Sequence, residues 1–393
     1  MNYISYEFKN DTLYLKLNER LDSANAEATE TEINDIRSLN KEGNVIIDAE
    51  NLNYISSAGL RVILRLKKKE NSLKIINVSV EVYEIFEMTG FSEMIPIEKA
   101  YRKMSVDGCK VIGKGAKGII YKYDDDTIIK VYKNSDSLPE INRERDLARK
   151  AFILGVPTVI PFDVVVVGDK YGSVFELLDA LSLSDAIKNN PNDLDKYVKQ
   201  MVDLVKIIHG TVVKSTDMPN ANTEIGGEWI EASKALLDKE DSDKAEALIK
   251  ALRAPLKMLH GDFHTNNIML QNGEALIIDM DTLSYGNRIF DLANTYFAYV
   301  GIGEIDPKLI ENFLGLKEEL FSQIWPKFIR LYLDTNDENK IKEVNDKIKC
   351  LNSLHMIKYI SKHRKNEPTF EVELETFKKK AHDLLSNTDS LDF

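Results

Sequence analysis

The chain has 393 residues, 43% of them hydrophobic, which is more than one core absorbs, so two or three domains are expected. A formal net charge of −12 excludes a nucleic-acid binder built on clustered lysine and arginine and suits a cytoplasmic protein. Two cysteines, Cys109 and Cys350, are too few for a disulfide framework; the start of the chain has no signal peptide, and no run of about eighteen apolar residues offers a membrane span.

Residues 1–100 alternate strands and helices. Residues 3–8 and 12–17 nearly alternate around Lys9-Asn10-Asp11 and read as a hairpin. Ser23 is placed to cap a helix with Ala26, Ile33, Ile36 and Leu39 at helical spacing. Residues 45–48 form a short apolar strand, and Ser56-Ser57-Ala58-Gly59-Leu60 opens a helix continued by Ile63, Leu64 and Leu66. A strand at 73–78 and a helix at 80–88, ending at Gly90, complete a small α/β domain with a mixed sheet.

These residues also carry a resemblance. Leu21-Asp22-Ser23, the 45–48 strand, Tyr54-Ile55-Ser56-Ser57-Ala58-Gly59-Leu60-Arg61-Val62 and Phe86-Glu87-Met88-Thr89-Gly90-Phe91 resemble the STAS domain of anti-sigma-factor antagonists over almost its whole length. The resemblance implies a regulatory phosphosite at the helix N-terminus, falling on Ser57, and a regulatory protein partner. The family usually has aspartate before that serine, where this chain has Ser56. A helix N-terminus stabilises an anion through its free N–H groups and dipole, and the plainer reading is that Ser56 or Ser57 caps the helix.

Between 104 and 180, Gly113, Gly115 and Gly118 form G-x-G-x-x-G between two apolar-rich runs. The segment after Gly118 alternates as a strand, so the dinucleotide-fold reading loses its helix, and Ile119-Ile120 at that point excludes a Walker A loop. A strand–loop–strand flap remains, its backbone able to close over nucleotide phosphates. Lys130 sits in the apolar strand 127–132 and needs a partner, water or phosphate. A helix runs from about Leu138 to Leu154 with Pro139 in its first turn; Glu144 is the preferred ion-pair partner for Lys130, and Glu140 the alternative. Residues 158–167 and 171–178 complete an antiparallel sheet whose exit, at Glu176 and Leu178, is where an adenine would dock on backbone groups.

Helices occupy 184–190 and 194–209, with His209 read as a packed or capping histidine; residues 214–227 read as loop and 229–252 as one helix. Then comes His260-Gly261-Asp262-Phe263-His264-Thr265-Asn266-Asn267, two apolar runs around Gln271-Asn272-Gly273, and Asp279. The turn predicts a hairpin that lets Asn267 and Asp279 converge on one metal ion while Asp262 faces an incoming hydroxyl. His260 and His264 are assigned to positioning the loop, since magnesium prefers oxygen ligands. Asp281 reads evenly as a second carboxylate or a solvent-exposed one. Helices at 307–313, 317–333, 339–361 and 370–385 complete the chain, with Pro307 and Pro326 as punctuation and the basic runs 362–365 and 378–380 as solvated faces.

Taken in this order, Gly113 to Gly118, Lys130, His260-Gly261-Asp262 with Asn267, Ile278-Asp279 and Asp291 in Phe290-Asp291-Leu292-Ala293 resemble the aminoglycoside phosphotransferase and choline kinase branch of the protein-kinase-like fold. The resemblance implies a two-lobed α+β domain, N-lobe 104–180 and C-lobe 181–393, using ATP and Mg2+. In it Lys130 holds the α- and β-phosphates braced by Glu144, Asp262 positions and deprotonates the acceptor hydroxyl, and Asn267 and Asp279 hold magnesium. The leading function is a small-molecule phosphotransferase with a STAS regulatory or docking domain. The alternatives are a protein serine kinase acting on Ser57 in cis or trans and a non-catalytic nucleotide-binding signalling scaffold. Nothing in the sequence identifies the hydroxyl-bearing acceptor.

Overall fold

The computed structural model describes residues 3–39, 43–115 and 117–393; Ala116 of the glycine loop lies outside the described residues. The chain divides into two compact units, Met1–Ser105 with Val164–Asp169, and Val106–Asp163 with Lys170–Phe393. Among the described residues no helix is long and apolar enough to cross a membrane.

The first unit is built on a five-stranded mixed sheet in the order Ile4–Lys9, Thr12–Leu17, Asn44–Asp48, Lys74–Val78, Ile97–Lys99. The first two strands are antiparallel around Asn10 and Asp11, both at positive φ as a tight hairpin turn requires, and the remaining pairs are parallel. Leu13, Leu15, Val45, Ile47 and Ile75 share a core with Ile33, Ile63, Leu66 and Phe86 from the helices Ala26–Leu39, Ser57–Lys69 and Val80–Met88.

Two helix starts are informative. The first helix begins at Ala26, so Ser23 is not its cap: Asp22 and Asn25 make their own turn, with Asp22 N–H on Asn25 Oδ1 (2.8 Å) and Ala24 N–H on Asp22 Oδ1 (3.0 Å). Short polar side chains often divert the backbone in this way. At the second, Ser56 is the cap, its Oγ accepting from Ala58 N–H at 3.2 Å, and Ser57 is the first helical residue, exposed and free of that duty. Gly59 lets this helix lie on the chain below; a Cβ there would stand 2.4 Å from Leu21 O.

In the second unit the strands Lys110–Lys114, Gly118–Lys122, Thr127–Tyr132 and Lys170–Glu176 lie side by side in that order, each antiparallel to its neighbour. The strand expected from 158 begins only at Asp163, because Pro157 and Pro161 remove ladder donors. Thr158 instead bonds Ile277 O through Oγ1 at 2.7 Å, and Pro157 O accepts Ile277 N–H at 2.8 Å. The rest is mainly helical around one large core.

Three expectations fail here. Residues 221–227 are helix, not loop: Asn220 caps Ala221–Leu236, and Gly226, read as a loop signal, is a packing contact whose Cβ would stand 2.7 Å from Ile249. The single helix expected at 229–252 is two, split where Asp238 caps Lys239–Ala251. The helix expected at 317–333 forms as Glu318–Leu333 with Pro326 inside it, since Phe321, Ile324, Trp325, Phe328 and Ile329 are all buried there and outweigh a cost of about 3 kcal/mol. Within the basic run 362–365, Arg364 is not simply solvated: it bonds Glu373 at 2.7 and 2.9 Å, tying Glu338–His363 to Phe370–Ser386.

Gly59→Ala tests the tight contact in the first unit. Helix propensity alone would stabilise it by about 1 kcal/mol, whereas overpacking against Leu21 should reverse the sign and cost about 1–3 kcal/mol. Denaturant unfolding of the first unit reads the difference; a stabilised variant would refute the contact.

Candidate active site

Lys130 faces inward from Thr127–Tyr132, and the helix Leu138–Ile153 brings buried Glu144 to meet it. Lys130 Nζ lies 2.9 and 3.3 Å from the two Glu144 oxygens. Tyr132 OH donates to Glu144 Oε2 at 2.8 Å and sits 3.2 Å from Ser173 Oγ, so the buried carboxylate is satisfied on both oxygens. The alternative, Glu140, is exposed. Lys130 also reaches Asp279 Oδ1 at 3.3 Å, across 149 residues of sequence. Burial opposes its charge, but Glu144 and Asp279 outweigh burial and hold its pKa above the ordinary lysine value.

Asp279 reaches that position from a left-handed backbone, φ 63°, which aspartate tolerates better than most residues. It leaves the hairpin Ile268–Gln271/Glu274–Ile277, whose turn residues Asn272 and Gly273 both have positive φ. Ile278 N–H donates to Asn267 O at 2.9 Å, so Asn267 and Asp279 emerge on adjacent chains. The Asn267 side-chain nitrogen donates to Asp262 O (2.9 Å) and Asp262 Oδ2 (3.2 Å), leaving its oxygen to face elsewhere. His264 Nε2 lies 3.3 Å from Asp262 Oδ1. Burial would raise the Asp262 pKa, but His264, His260 and Asn267 together hold it well below the usual carboxylate range. Its side chain is half exposed and lines a cavity of about 470 Å³.

A fully buried carboxylate frames this loop. Asp291 accepts from His260 N–H (2.7 Å), Gly261 N–H (2.6 Å) and His209 Nε2 (3.0 Å), and His209 Nδ1 meets Tyr332 OH at 2.7 Å. Asn294 donates to Gly261 O and Thr282 Oγ1 to His260 O. Gly261 has φ +85°, and a Cβ there would stand 2.6 Å from Thr282 O, so only glycine fits. Burial pushes the His260 pKa down, and its Nε2 sits 3.2 Å from Ile278 O. His209, read from sequence as packed or capping, is packed, and its role as the partner of Asp291 left no local signal because Asp291 is 82 residues away.

The glycine flap folds on itself, with Gly115 N–H on Gly118 O at 2.9 Å. Gly118 passes so close to the neighbouring strand that a Cβ would lie 2.5 Å from Val131 O. Gly113 lies opposite Ile120. Lys117 pairs with Asp281, so Asp281 is neither free nor solvent-exposed. Glu176 ends its strand opposite Thr127, and Leu177 N–H is spent on Asp126 O at 2.7 Å; Leu178 lies just outside the strand. Cys109 and Cys350 are both free thiols. The far side of the cavity, formed by Trp229, Phe297, His355 and Tyr359, had no motif; the spacing of His355, Tyr359 and His363 by four along one helix was its only trace. His355 is sandwiched between Trp229 and Phe297, with ring centroids 5.2 and 4.0 Å away. Burial and the nearby Lys358 pull its pKa down to about 3.

The phosphotransferase enzyme family matches residues 109–326, and the STAS domain matches residues 3–104. Over 82 residues, 20% of this chain and 69% of the relative, the chain is 38% identical to BtrV of Bordetella bronchiseptica, described as a putative anti-sigma factor antagonist. Among solved structures it is similar to the ADP-bound aminoglycoside phosphotransferase APH(2'')-Ib, at 13% identity and a TM-score of 0.47 over 77% of this chain and 98% of that one. A choline/ethanolamine kinase family protein from Mesorhizobium loti matches at 14% identity and a TM-score of 0.45, over 70% and 87% of the two chains.

Asp291→Ala should cost about 3–5 kcal/mol, because it strands His209 and two buried N–H groups; a loss below about 1 kcal/mol in denaturant unfolding of the second unit would contradict the frame. His355 allows a pH test. Its pKa is about 3 in the folded chain against 6.5 ordinarily, so the unfolded chain takes up the proton first as pH falls. Its contribution is intact above pH 6.5 and is lost progressively toward pH 3. His355→Phe should therefore show a melting temperature that gains on the parent as pH drops from about 6.5 to 4, and a constant difference above about 7.

Proposed function

Because this chain belongs to the phosphotransferase enzyme family and carries a STAS domain, we propose that its second unit transfers the γ-phosphate of ATP to a hydroxyl of a small molecule, with the STAS domain as a regulatory or docking module. The observation that carries the proposal is the connected set Glu144–Lys130–Asp279 beside Asn267–Asp262, in which carboxylates and one lysine are held by partners from distant parts of the chain.

Each residue has work suited to its surroundings. Lys130, kept charged by Glu144 and Asp279, binds the α- and β-phosphates, and Glu144 fixes its direction. The flap of Gly113, Gly115 and Gly118 covers the phosphates, and the exit at Glu176 and Leu178 receives the adenine. Asp279 and Asn267 offer oxygen donors, the set a hard divalent cation takes, and would hold magnesium, which neutralises phosphate charge when bound. Asp262 accepts a hydrogen bond from the acceptor hydroxyl and orients its oxygen. With its pKa held so low, Asp262 is a weak base before transfer begins, so its main contribution is position, and the proton passes to its carboxylate as the hydroxyl becomes acidic on bonding to phosphorus. His264 and Asn267 keep the carboxylate turned toward the cavity.

A protein-kinase reading has one observation in its favour: Ser57 is exposed and Ser56 supplies the cap, so the Ser57 hydroxyl is available as an acceptor. The cavity beside Asp262, walled by aromatic rings, favours the small molecule. The scaffold reading has little support with Lys130, Asp262, Asn267 and Asp279 all present.

The test uses γ-labelled ATP with magnesium and a panel of hydroxyl compounds. Label should enter one small molecule, fall about 10²–10⁴-fold in Asp262→Ala at unchanged melting temperature, and vanish on chelation of the metal. Label on the protein that disappears in Ser57→Ala would replace this reading with the protein-kinase one, and nucleotide binding without any transfer would replace it with the scaffold.

A further inference from the structure

The cavity beside Asp262 has a charge pattern that narrows its ligand. Glu224, Glu228, Asp262 and Asp281 line it with carboxylates. Three of them are already paired: Glu224 with Arg143 at 4.0 Å, Glu228 with Lys358, and Asp281 with Lys117. Asp262 has a histidine rather than a lysine or arginine beside it, and it is the group that orients the hydroxyl. A polycation would have to compete with two lysines and an arginine for these carboxylates, which reduces the net gain from each new ion pair.

What the cavity does offer is flat apolar surface and unspent hydrogen-bonding atoms. Phe297 and Tyr359 lie edge to face with centroids 5.3 Å apart, backed by the His355 and Trp229 rings. Ser284, 1% exposed, lines the same cavity with its Oγ unpartnered, and the His355 Nδ1 is also buried without a partner. Buried polar atoms without a partner are uncommon, and the Ser284 hydroxyl, which rotates freely about its C–O bond, fits a bound molecule that supplies the missing bond, whereas the enclosed His355 ring serves as apolar backing. The low pKa keeps His355 neutral, so this wall adds no positive charge at working pH.

Resting on the phosphotransfer reading, we propose that the acceptor is an uncharged or singly charged hydroxyl compound with an aromatic or otherwise flat apolar face, stacked on Phe297 and Tyr359 and hydrogen-bonded to Ser284 Oγ, and that the paired carboxylates disfavour polyamine acceptors. Ser284, Phe297 and Tyr359 act here as specificity residues and take no part in the transfer itself.

The test titrates the full chain calorimetrically with two probes: salicin, a neutral aryl glucoside, and kanamycin, a polycation. Salicin should bind at least about tenfold more tightly, with little change between low and high salt. Ser284→Ala should weaken salicin about three- to tenfold at equal or higher melting temperature, because it deletes an unpaired buried hydroxyl. Lys358→Ala unpairs Glu228 and should raise kanamycin affinity in a salt-sensitive way. Tighter binding of kanamycin by the parent chain, binding of neither probe, or an unchanged salicin affinity in Ser284→Ala would each overturn the proposal. Because binding is read without turnover, the two readings fail separately: salicin binding with no phosphate transfer to any member of the hydroxyl panel sinks the phosphotransfer reading, whereas phosphorylation of kanamycin in preference to salicin sinks this one alone.

Discussion

The second unit turns on one buried carboxylate. Asp291 has no contact with solvent, yet it holds two consecutive backbone N–H groups and a histidine at once. A carboxylate taken out of water is unfavourable unless each lone pair is answered. Here they are answered by the turn that precedes Asp262, so the energy that keeps Asp291 buried is the same energy that keeps the loop in shape. Asp262, Asn267 and His264 then need only short-range contacts to set their final geometry.

The second constraint is the line from Glu144 through Lys130 to Asp279. It joins a strand and a helix of the four-stranded sheet region to a hairpin far along the chain, and Thr158 and Pro157 add hydrogen bonds to the same hairpin. Lys130 is therefore a structural tie between the two parts, and its charge is stabilised there by carboxylates from both; under the proposed function the same charge meets phosphate.

Much of this architecture is legible in the order of residues alone. Period-two runs such as Thr12–Leu17 and Thr127–Tyr132 and the Asn272-Gly273 turn are local signals, and they appear where read. Lys130 can be paired with Glu144 because an isolated lysine in an apolar strand demands a partner and the next helix supplies one. The features that stay hidden depend on packing across long separations. Gly226 signals a loop by composition, but it is a helix residue kept small by Ile249 and Phe290. The cavity's aromatic wall comes from three separate helices, and no spacing within one segment announces such a surface.

The backbone at Asp279 carries a consequence for how this chain can change over generations. A left-handed residue tolerates asparagine or glycine far better than glutamate or a branched side chain. Loss of the Asp279 charge by replacement with asparagine therefore keeps the shape, the hairpin and most of the cleft, and it needs a single nucleotide change. A single base change can therefore remove this charge from the cleft while the fold around it stays as it is.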